Sequence, residues 1–202
     1  MPSQEQTFLF SYPCLSSPTE KVAVSSENIV SFLRLLQASK AEAFWAIEKG
    51  DFPHPMLQKD LLLLAQQLVR PSQLALELLD QAFVFLRQEL FGSWELPQSH
   101  YLAVLRPMLA AQYLLTTAPS FPSQSWTNLL PLLTTTWQQK TKQLLANPHK
   151  ITTISGDWLN FFEDQHKALY TLAENYPPSP NIDHEEKVQT FLQGLTFSSS
   201  QK

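Results

Sequence analysis

The sequence predicts an all-α fold: a single-domain bundle of six to seven helices with an extended N-terminal arm. Only four glycines occur among the 202 residues, whereas sheet-rich domains use more glycine in turns and bulges. Apolar residues recur at helical spacing, and glycine or proline falls near the end of most of these patterns, where helices end. We therefore expect an arm over residues 1–25, a helical domain over 26–195 and a disordered tail over 196–202.

The predicted arm is rich in Ser and Pro and lacks a helical period. Within it the aromatic residues Phe8, Phe10 and Tyr12 alternate along the chain. Alternation places side chains on one side of an extended segment, so these rings predict a strip that packs on the helical domain.

One helical region is predicted over about residues 27–49, and Gly50 ends it. Apolar residues there follow the i, i+3, i+4, i+7 pattern of an amphipathic helix: Ile29, Phe32, Leu33 and Leu36. Ser39 and Glu42 have the spacing of a capping box, so the region is either one helix or two helices with a bend near Ser39.

Proline and glycine bound the next two helices. The first starts at Pro55 and stops before Pro71. Its run of leucines at residues 61–64 is apolar on all sides, which predicts a central position in the bundle. The second extends over residues 72–91 and ends at Gly92.

Prolines also mark the following pair of helices, predicted over residues 99–117 and 126–146 with a loop over 118–125. Pro107 lies inside the first helix, where it removes a backbone donor and clashes one turn back, so we expect a kink or a break. Pro131 lies near the start of the second, where proline is tolerated. Two further helices complete the bundle: one from about residue 157, capped by Ser155 or Asp157 and stopped before Pro177 and Pro178, and a short one over residues 184–193.

No charged residue occurs from Pro107 to Gln139. An exposed helical face normally carries charges because it must be solvated. The threonines and glutamines of this stretch could instead face a partner without the desolvation cost that charges incur. The stretch is therefore either buried within the fold or covered by a partner.

Composition excludes several functional classes. The net charge is −4, and the nearest basic cluster is only Lys140, Lys142, His149 and Lys150, so we expect no nucleic-acid partner. Cys14 is the only cysteine, which excludes an internal disulfide and a cysteine-based metal site. The chain lacks an apolar run of the roughly 18 residues that span a membrane, and its N-terminus does not resemble a secretory signal, which together predict a cytoplasmic protein.

Catalytic and metal-binding signatures are sparse. Glu163 and His166 have the Glu-x-x-His spacing of di-iron bundles, but the chain has no second copy of this motif. We therefore expect no metal and no other cofactor. A nucleophile elbow and a glycine-rich phosphate loop are also missing from the sequence, which favours a non-enzymatic protein.

Five tryptophans are spread along the chain, and we expect most of them to fill the core: Trp45, Trp94, Trp126, Trp137 and Trp158. Trp94 is the exception because it lies in a loop between two predicted helices. A large aromatic side chain there either covers the core or meets a partner.

A short likeness to a known family lies at residues 90–97, LFGSWELP, with Tyr101 after it. The segment resembles the central loop of redox-enzyme maturation chaperones of the TorD/DmsD type, which reads Leu-Phe-x-Gly-Pro before further prolines and an aromatic residue. Here the loop is one residue shorter, and Ser93 stands where the family has proline. The resemblance implies an all-helical cytoplasmic protein that binds twin-arginine signal peptides and apo-enzymes.

A second likeness covers residues 68–97 and the following segment, YLAVLRPMLAAQYLL. These residues are similar to the helical N-terminal region of polyhydroxyalkanoate synthases, whose catalytic domain has no counterpart here. This resemblance implies a granule- or synthase-associated helical protein.

We therefore predict a non-enzymatic, chaperone- or adaptor-like module that binds an apolar peptide or a partner helix in a groove. The residues predicted to line the groove are Trp94, Leu96, Pro97, Tyr101, Tyr113, Phe121 and Trp126. The partner is another protein or peptide, and self-association into a homo-oligomer stays open. Two alternatives also stay open: an assembly or granule-associated protein that regulates a polymer synthase, and a helical metal protein or enzyme that uses Glu163 and His166.

Overall fold

The computed structural model describes residues 8–11, 21–24, 26–49, 55–91, 95–117, 121–177 and 184–199. Within these ranges the protein is mainly α-helical, as predicted, with short strands in two antiparallel pairs. In chain order the elements are β1 (Phe8–Ser11), β2 (Lys21–Val24), α1 (Ser26–Gln37), α2 (Ala41–Lys49), α3 (Pro55–Leu68), α4 (Pro71–Phe85), β3 (Glu95–Pro97), α5 (Gln98–Thr116), α6 (Trp126–Leu129), α7 (Thr135–Ala146), β4 (Ile151–Thr153), α8 (Gly156–Glu174) and α9 (His184–Ser199). A π-helical turn (Leu86–Leu90) continues α4, and a 3-10 turn (Leu130–Leu132) follows α6. None of the helices in the described ranges is both long and apolar enough to cross a membrane.

The chain divides into two compact units, one of residues 1–70 with 179–202 and one of residues 71–178. In the first unit, α3 packs against α1, α2 and α9. In the part of the predicted arm that the structure describes, β1 pairs antiparallel with β2, with Phe8 opposite Val24. The single helical domain predicted over residues 26–195 stays a prediction.

The turn between α1 and α2 is built around Ser39, whose φ is 52°. The amide of Ser39 donates to the carbonyl of Leu36 at 3.0 Å, and the amide of Lys40 donates to that of Leu35 at 2.9 Å. These bonds form a Schellman C-cap, in which the left-handed position is usually glycine. The predicted bend is confirmed, but the predicted capping box is wrong, because Ser39 ends α1 and α2 begins only at Ala41.

The leucine run of α3 has a buried side and an exposed side. Leu61 is fully buried and Leu64 nearly so, whereas 49% of Leu63 is exposed. The prediction of a helix buried on every side is wrong, because consecutive residues point in directions about 100° apart around a helix.

In the unit of residues 71–178, α5 packs against α4, α7 and α8, and α4 also packs against α8. Residues on most sides of α5 are buried: Tyr101, Leu102, Val104, Leu105, Met108, Leu109, Ala110, Ala111, Leu114 and Leu115. Its central place among three other helices accounts for this burial. Pro107 lies within α5, and the helix continues to Thr116 on its far side, so a break at Pro107 is wrong and a kink stays a prediction.

The single helix predicted over residues 126–146 is interrupted. Pro131 has no amide donor, and in an α-helix its ring would clash with the carbonyl of Thr127. The chain instead forms the 3-10 turn, becomes extended at Leu133 (φ −88°, ψ 152°) and starts α7 with Thr134 as the N-cap residue.

Helix α8 has its predicted bounds to within a few residues, whereas α9 is longer than predicted. Ser155 is the N-cap residue of α8, one of the two predicted, and Gly156 opens this helix. Gly194 lies inside α9, which continues to Ser199 and so includes the first residues of the predicted tail. These two glycines therefore do not end helices as the sequence predicts.

Candidate functional site

Five aromatic side chains form a connected cluster in the unit of residues 71–178: Tyr101, Trp137, Trp158, Phe161 and Phe162. Three of them, Trp158, Phe161 and Phe162, come from α8, and all three are buried. Trp137, from α7, is only partly buried. The cluster thus reaches from the core to the surface through Trp137.

A short β ladder holds the starts of α5 and α8 together beneath this cluster. Leu96 of β3 lies opposite Thr152 of β4, and these strands lead directly into α5 and α8. One turn further on, the phenolic oxygen of Tyr101 accepts a hydrogen bond from the amide of Ser155 at 3.2 Å. The positions of the α8 aromatic side chains are therefore fixed relative to α5.

An open cleft of about 660 Å³ lies beside the aromatic cluster, within the size range of ligand pockets. Its walls come from α5, the 3-10 turn, the first half of α7, and α8. The apolar lining residues are Leu132, Leu133, Trp137 and Phe161. The polar lining residues are Gln112, Thr134, Lys140, Asp157, Asn160, Asp164 and Gln165.

Trp137 is covered on both faces of its indole ring. Phe161 stacks on it with the ring centroids 4.0 Å apart and the planes at 29°. The ammonium of Lys140 lies 4.3 Å from the indole centroid, and because Phe161 occupies one face, Lys140 covers the other. Lys140 also forms an ion pair with Asp157 at 3.3 Å, in which 74% of the Asp157 side chain is exposed. Exposed ion pairs contribute little free energy, so this cover is held weakly.

Two acceptors that line the cleft lack donors. The side-chain oxygen Oε1 of Gln112 is buried and has no hydrogen-bond partner. Asp164 is exposed, and no hydrogen bond or ion pair joins it to another residue that the structure describes. The cleft therefore offers more acceptor capacity than its own donors satisfy.

Comparisons with protein-family models, with curated proteins and with solved structures return no match for this chain. The likenesses to TorD/DmsD-type chaperones and to polyhydroxyalkanoate synthases stay predictions. The site is interpreted from its own chemistry.

The predicted groove residues do not come together at this cleft, and none of the described ones borders it. Tyr101 and Leu96 are 1% and 7% exposed, so both are core residues that a partner reaches only if the fold opens. Pro97 lies in the β ladder opposite Ile151. Trp94 lies outside the described residues.

The other three predicted residues are partly exposed: Tyr113, Phe121 and Trp126. The guanidinium carbon of Arg106 lies 5.1 Å from the centroid of the Trp126 ring. Trp126 is thus covered by a cation in the same way as Trp137. Among the four described tryptophans, the prediction of a core position holds for Trp158 and is wrong for Trp45, Trp126 and Trp137.

The two candidate metal ligands lie in different surroundings on α8. Glu163 is exposed, whereas the His166 ring stacks on Phe83 of α4 with the centroids 4.8 Å apart. Burial lowers the pKa of His166, and the Asp80 carboxylate and a backbone hydrogen bond with Leu79 oppose this effect. In the part of the chain that the structure describes, no group of three or more His, Cys, Asp or Glu side chains is arranged to hold a metal ion.

The uncharged stretch is partly core and partly surface. Its α5 portion and Leu129 and Leu133 supply buried residues. Its exposed described residues are hydroxyl or amide side chains and one proline: Thr116, Thr117, Ser125, Thr127, Asn128, Pro131, Thr134, Thr135, Thr136 and Gln139. An uncharged polar surface therefore adjoins the cleft.

The sequence does contain a signal for this site. On α8, Asp157, Phe161, Asp164 and Gln165 follow the i, i+4, i+7, i+8 pattern. An amphipathic helix normally buries such a face, but here the face mixes an aromatic ring with two carboxylates and an amide. A mixed face of this kind indicates a wet cleft and not a core.

Proposed function

We propose that the protein is a non-enzymatic module that binds an apolar peptide segment or a partner helix in the cleft lined by Trp137 and Phe161. The observation that carries the proposal is the stacked pair of Trp137, which is partly exposed, and Phe161, which is largely buried, in the lining of an open cleft. Tryptophan and its aromatic neighbours are enriched among the residues that dominate binding energy at interfaces. A chaperone- or adaptor-like role in the cytoplasm belongs to the same proposal.

The surroundings of the aromatic pair support a protein partner. Leu132 and Leu133 extend the apolar lining, so that a helix or extended segment could bury side chains along it. The adjoining surface is uncharged, and hydroxyl and amide groups lose less free energy on desolvation than ionised groups do. This combination of an apolar centre and a polar surround, charged at Lys140, Asp157 and Asp164, resembles the anatomy of protein interfaces.

The test is selection from a displayed library of short random peptides on the full chain, followed by measurement with a blocked variant. Asn160→Arg places a long side chain across the cleft from an exposed position on α8. Ala168→Arg is the matched control, because Ala168 is exposed on the same helix but does not border the cleft.

We expect selected peptides to lose at least about tenfold in affinity for Asn160→Arg, which corresponds to about 1.4 kcal/mol. Affinity for Ala168→Arg should stay unchanged. If the selected peptides bind the two variants equally, or if selection enriches no sequence, the cleft is not the binding site.

A further inference from the structure

The ammonium of Lys140 fills a binding position that other side chains of the same protein form. Its ammonium contacts the Trp137 ring and the Asp157 carboxylate together, at 4.3 Å and 3.3 Å. Indole is the best aromatic partner for a cation, and a carboxylate beside it adds direct charge attraction. The geometry therefore shows an ammonium-binding arrangement that a side chain of the same chain fills.

The charges of the cleft are not balanced by this one lysine. Asp157 and Asp164 both line it, whereas Lys140 is its only basic lining residue. A ligand that donates hydrogen bonds and carries positive charge matches this excess of carboxylates, whereas a carboxylate ligand would meet like charge.

We propose that the partner inserts a lysine side chain into this cleft, and that Lys140 is the internal competitor which the partner lysine displaces from Trp137. This inference rests on the proposed function and names the chemistry of the partner. The apolar stem of a lysine packs on Leu132, Leu133 and Trp137 while its ammonium reaches the carboxylates, as amphipathic side chains do. The Lys140–Asp157 pair is exposed, so its displacement costs little.

The probes are two blocked tripeptides, acetyl-Leu-Lys-Leu-amide and acetyl-Leu-norleucine-Leu-amide. They differ in the ammonium and share the apolar stem. Binding is measured on the full chain by titration of the Trp137 indole N–H signal in NMR spectra, and Trp137→Phe assigns that signal. We expect the lysine probe to bind at least about threefold more tightly than the norleucine probe, in line with an exposed cation–π contact.

Two variants test the roles of Lys140 and Asp164. Lys140→Met removes the competitor and should strengthen binding of the lysine probe by about threefold, whereas Asp164→Asn should weaken it by a similar factor. The matched controls are Lys142→Met and Glu163→Gln, which make the same charge changes at exposed positions outside the cleft. Both controls should leave the affinity unchanged.

Equal binding of the two probes would overturn the lysine inference while leaving an apolar binding cleft in place. The inference also fails if Lys140→Met weakens the lysine probe or changes its affinity no more than Lys142→Met does. Failure of the proposed function is a separate result, because it appears as equal binding of selected peptides to Asn160→Arg and Ala168→Arg.

Discussion

Ser39 holds a left-handed backbone conformation without being glycine, and its side chain is fully buried. The hydroxyl oxygen accepts a hydrogen bond from the backbone amide of Arg70 at 3.3 Å. A left-handed conformation is unfavourable for residues other than glycine by roughly 1–2 kcal/mol. The hydrogen bond to the end of α3 gives a reason why serine is found there.

Substitution of Ser39 separates the two effects. Ser39→Ala keeps the backbone cost and leaves the Arg70 amide without its acceptor, so it should lower the free energy of unfolding by about 1–2 kcal/mol. Ser39→Gly loses the same hydrogen bond but relieves the backbone cost, so it should be less destabilising. Urea unfolding followed by circular dichroism measures both variants, and a glycine variant no more stable than the alanine variant would contradict this account.

The hydroxyl of Tyr101 accepts a hydrogen bond inside the aromatic cluster. Tyr101→Phe preserves the ring contacts but leaves the Ser155 amide at the start of α8 without its acceptor. We expect a loss of about 1 kcal/mol in the free energy of unfolding. Tyr170→Phe is the control, since Tyr170 is exposed on α8. Its expected change in the free energy of unfolding is within about 0.5 kcal/mol. Equal effects of the two variants in thermal or urea unfolding would show that the Tyr101 bond is not stabilising.

At the scale of helices, the contact between α4 and α8 contains a titratable group, His166, whose burial disfavours protonation. The Nε2 atom of His166 is buried without a hydrogen-bond partner, between the rings of Phe83 and Tyr170. Burial is the largest influence on the imidazole and lowers the pKa of His166 below its ordinary value of 6.5, although Asp80 attracts the proton. The charged imidazole is therefore less favourable in the folded protein than in the unfolded chain.

The lower pKa of His166 in the folded protein makes the free energy of unfolding depend on pH. Because the unfolded chain binds the His166 proton more readily, the folded state loses stability as pH falls from 6.5 toward the lower pKa of the folded protein. We expect the loss of unfolding free energy between about pH 7.5 and about pH 5.5 to be smaller in His166→Gln than in the parent. His149→Gln replaces an exposed histidine and should keep the parental dependence. An identical pH dependence of the parent and His166→Gln would contradict the assignment.

The limits of prediction at this scale have identifiable physical causes. Periodicity and proline predict that helices exist, and the spacing of Ser39 and Glu42 predicts a bend at Ser39. Whether Ser39 starts one helix or ends another depends on its hydrogen bonds to Leu36 and Arg70, and the second of these is a tertiary contact. The interruption after Pro131 depends on whether proline falls in the first turn, and an error of a few residues in the helix start changes that outcome.

At the scale of the whole molecule, residues 71–178 form a compact unit from one continuous segment. Its α4, α5, α7 and α8 bury a core of their own. We expect a fragment of residues 71–178 to be helical by circular dichroism and to unfold cooperatively, and its cleft should bind the peptides that the full chain selects. A fragment without a cooperative transition would show that this unit depends on the rest of the chain.

The mixed face of α8 is visible in the sequence, but the rest of the candidate site is not, because its parts come from separate helices. The stacking of Trp137 on Phe161 and the pairing of Lys140 with Asp157 depend on how α7 packs beside α8. In the sequence, Trp94 and its neighbours suggest a partner-binding loop. In the structure, Leu96 belongs to the β ladder that positions α5. Spacing within a helix predicts a face, whereas the partner of that face is decided by tertiary packing.

The discontinuous make-up of the other unit has a consequence for biosynthesis. Gln37 donates a hydrogen bond to the carbonyl of His184 at 3.3 Å, across 147 residues of sequence, and α3 packs against α9. A ribosome must synthesise all of residues 71–178 before α9 emerges, which takes roughly 5–20 s at about 5–20 residues per second. During that time the apolar face of α3 that later contacts α9 stays uncovered in the nascent chain. The first seventy residues can therefore complete their packing only after the segment inserted after them has been translated.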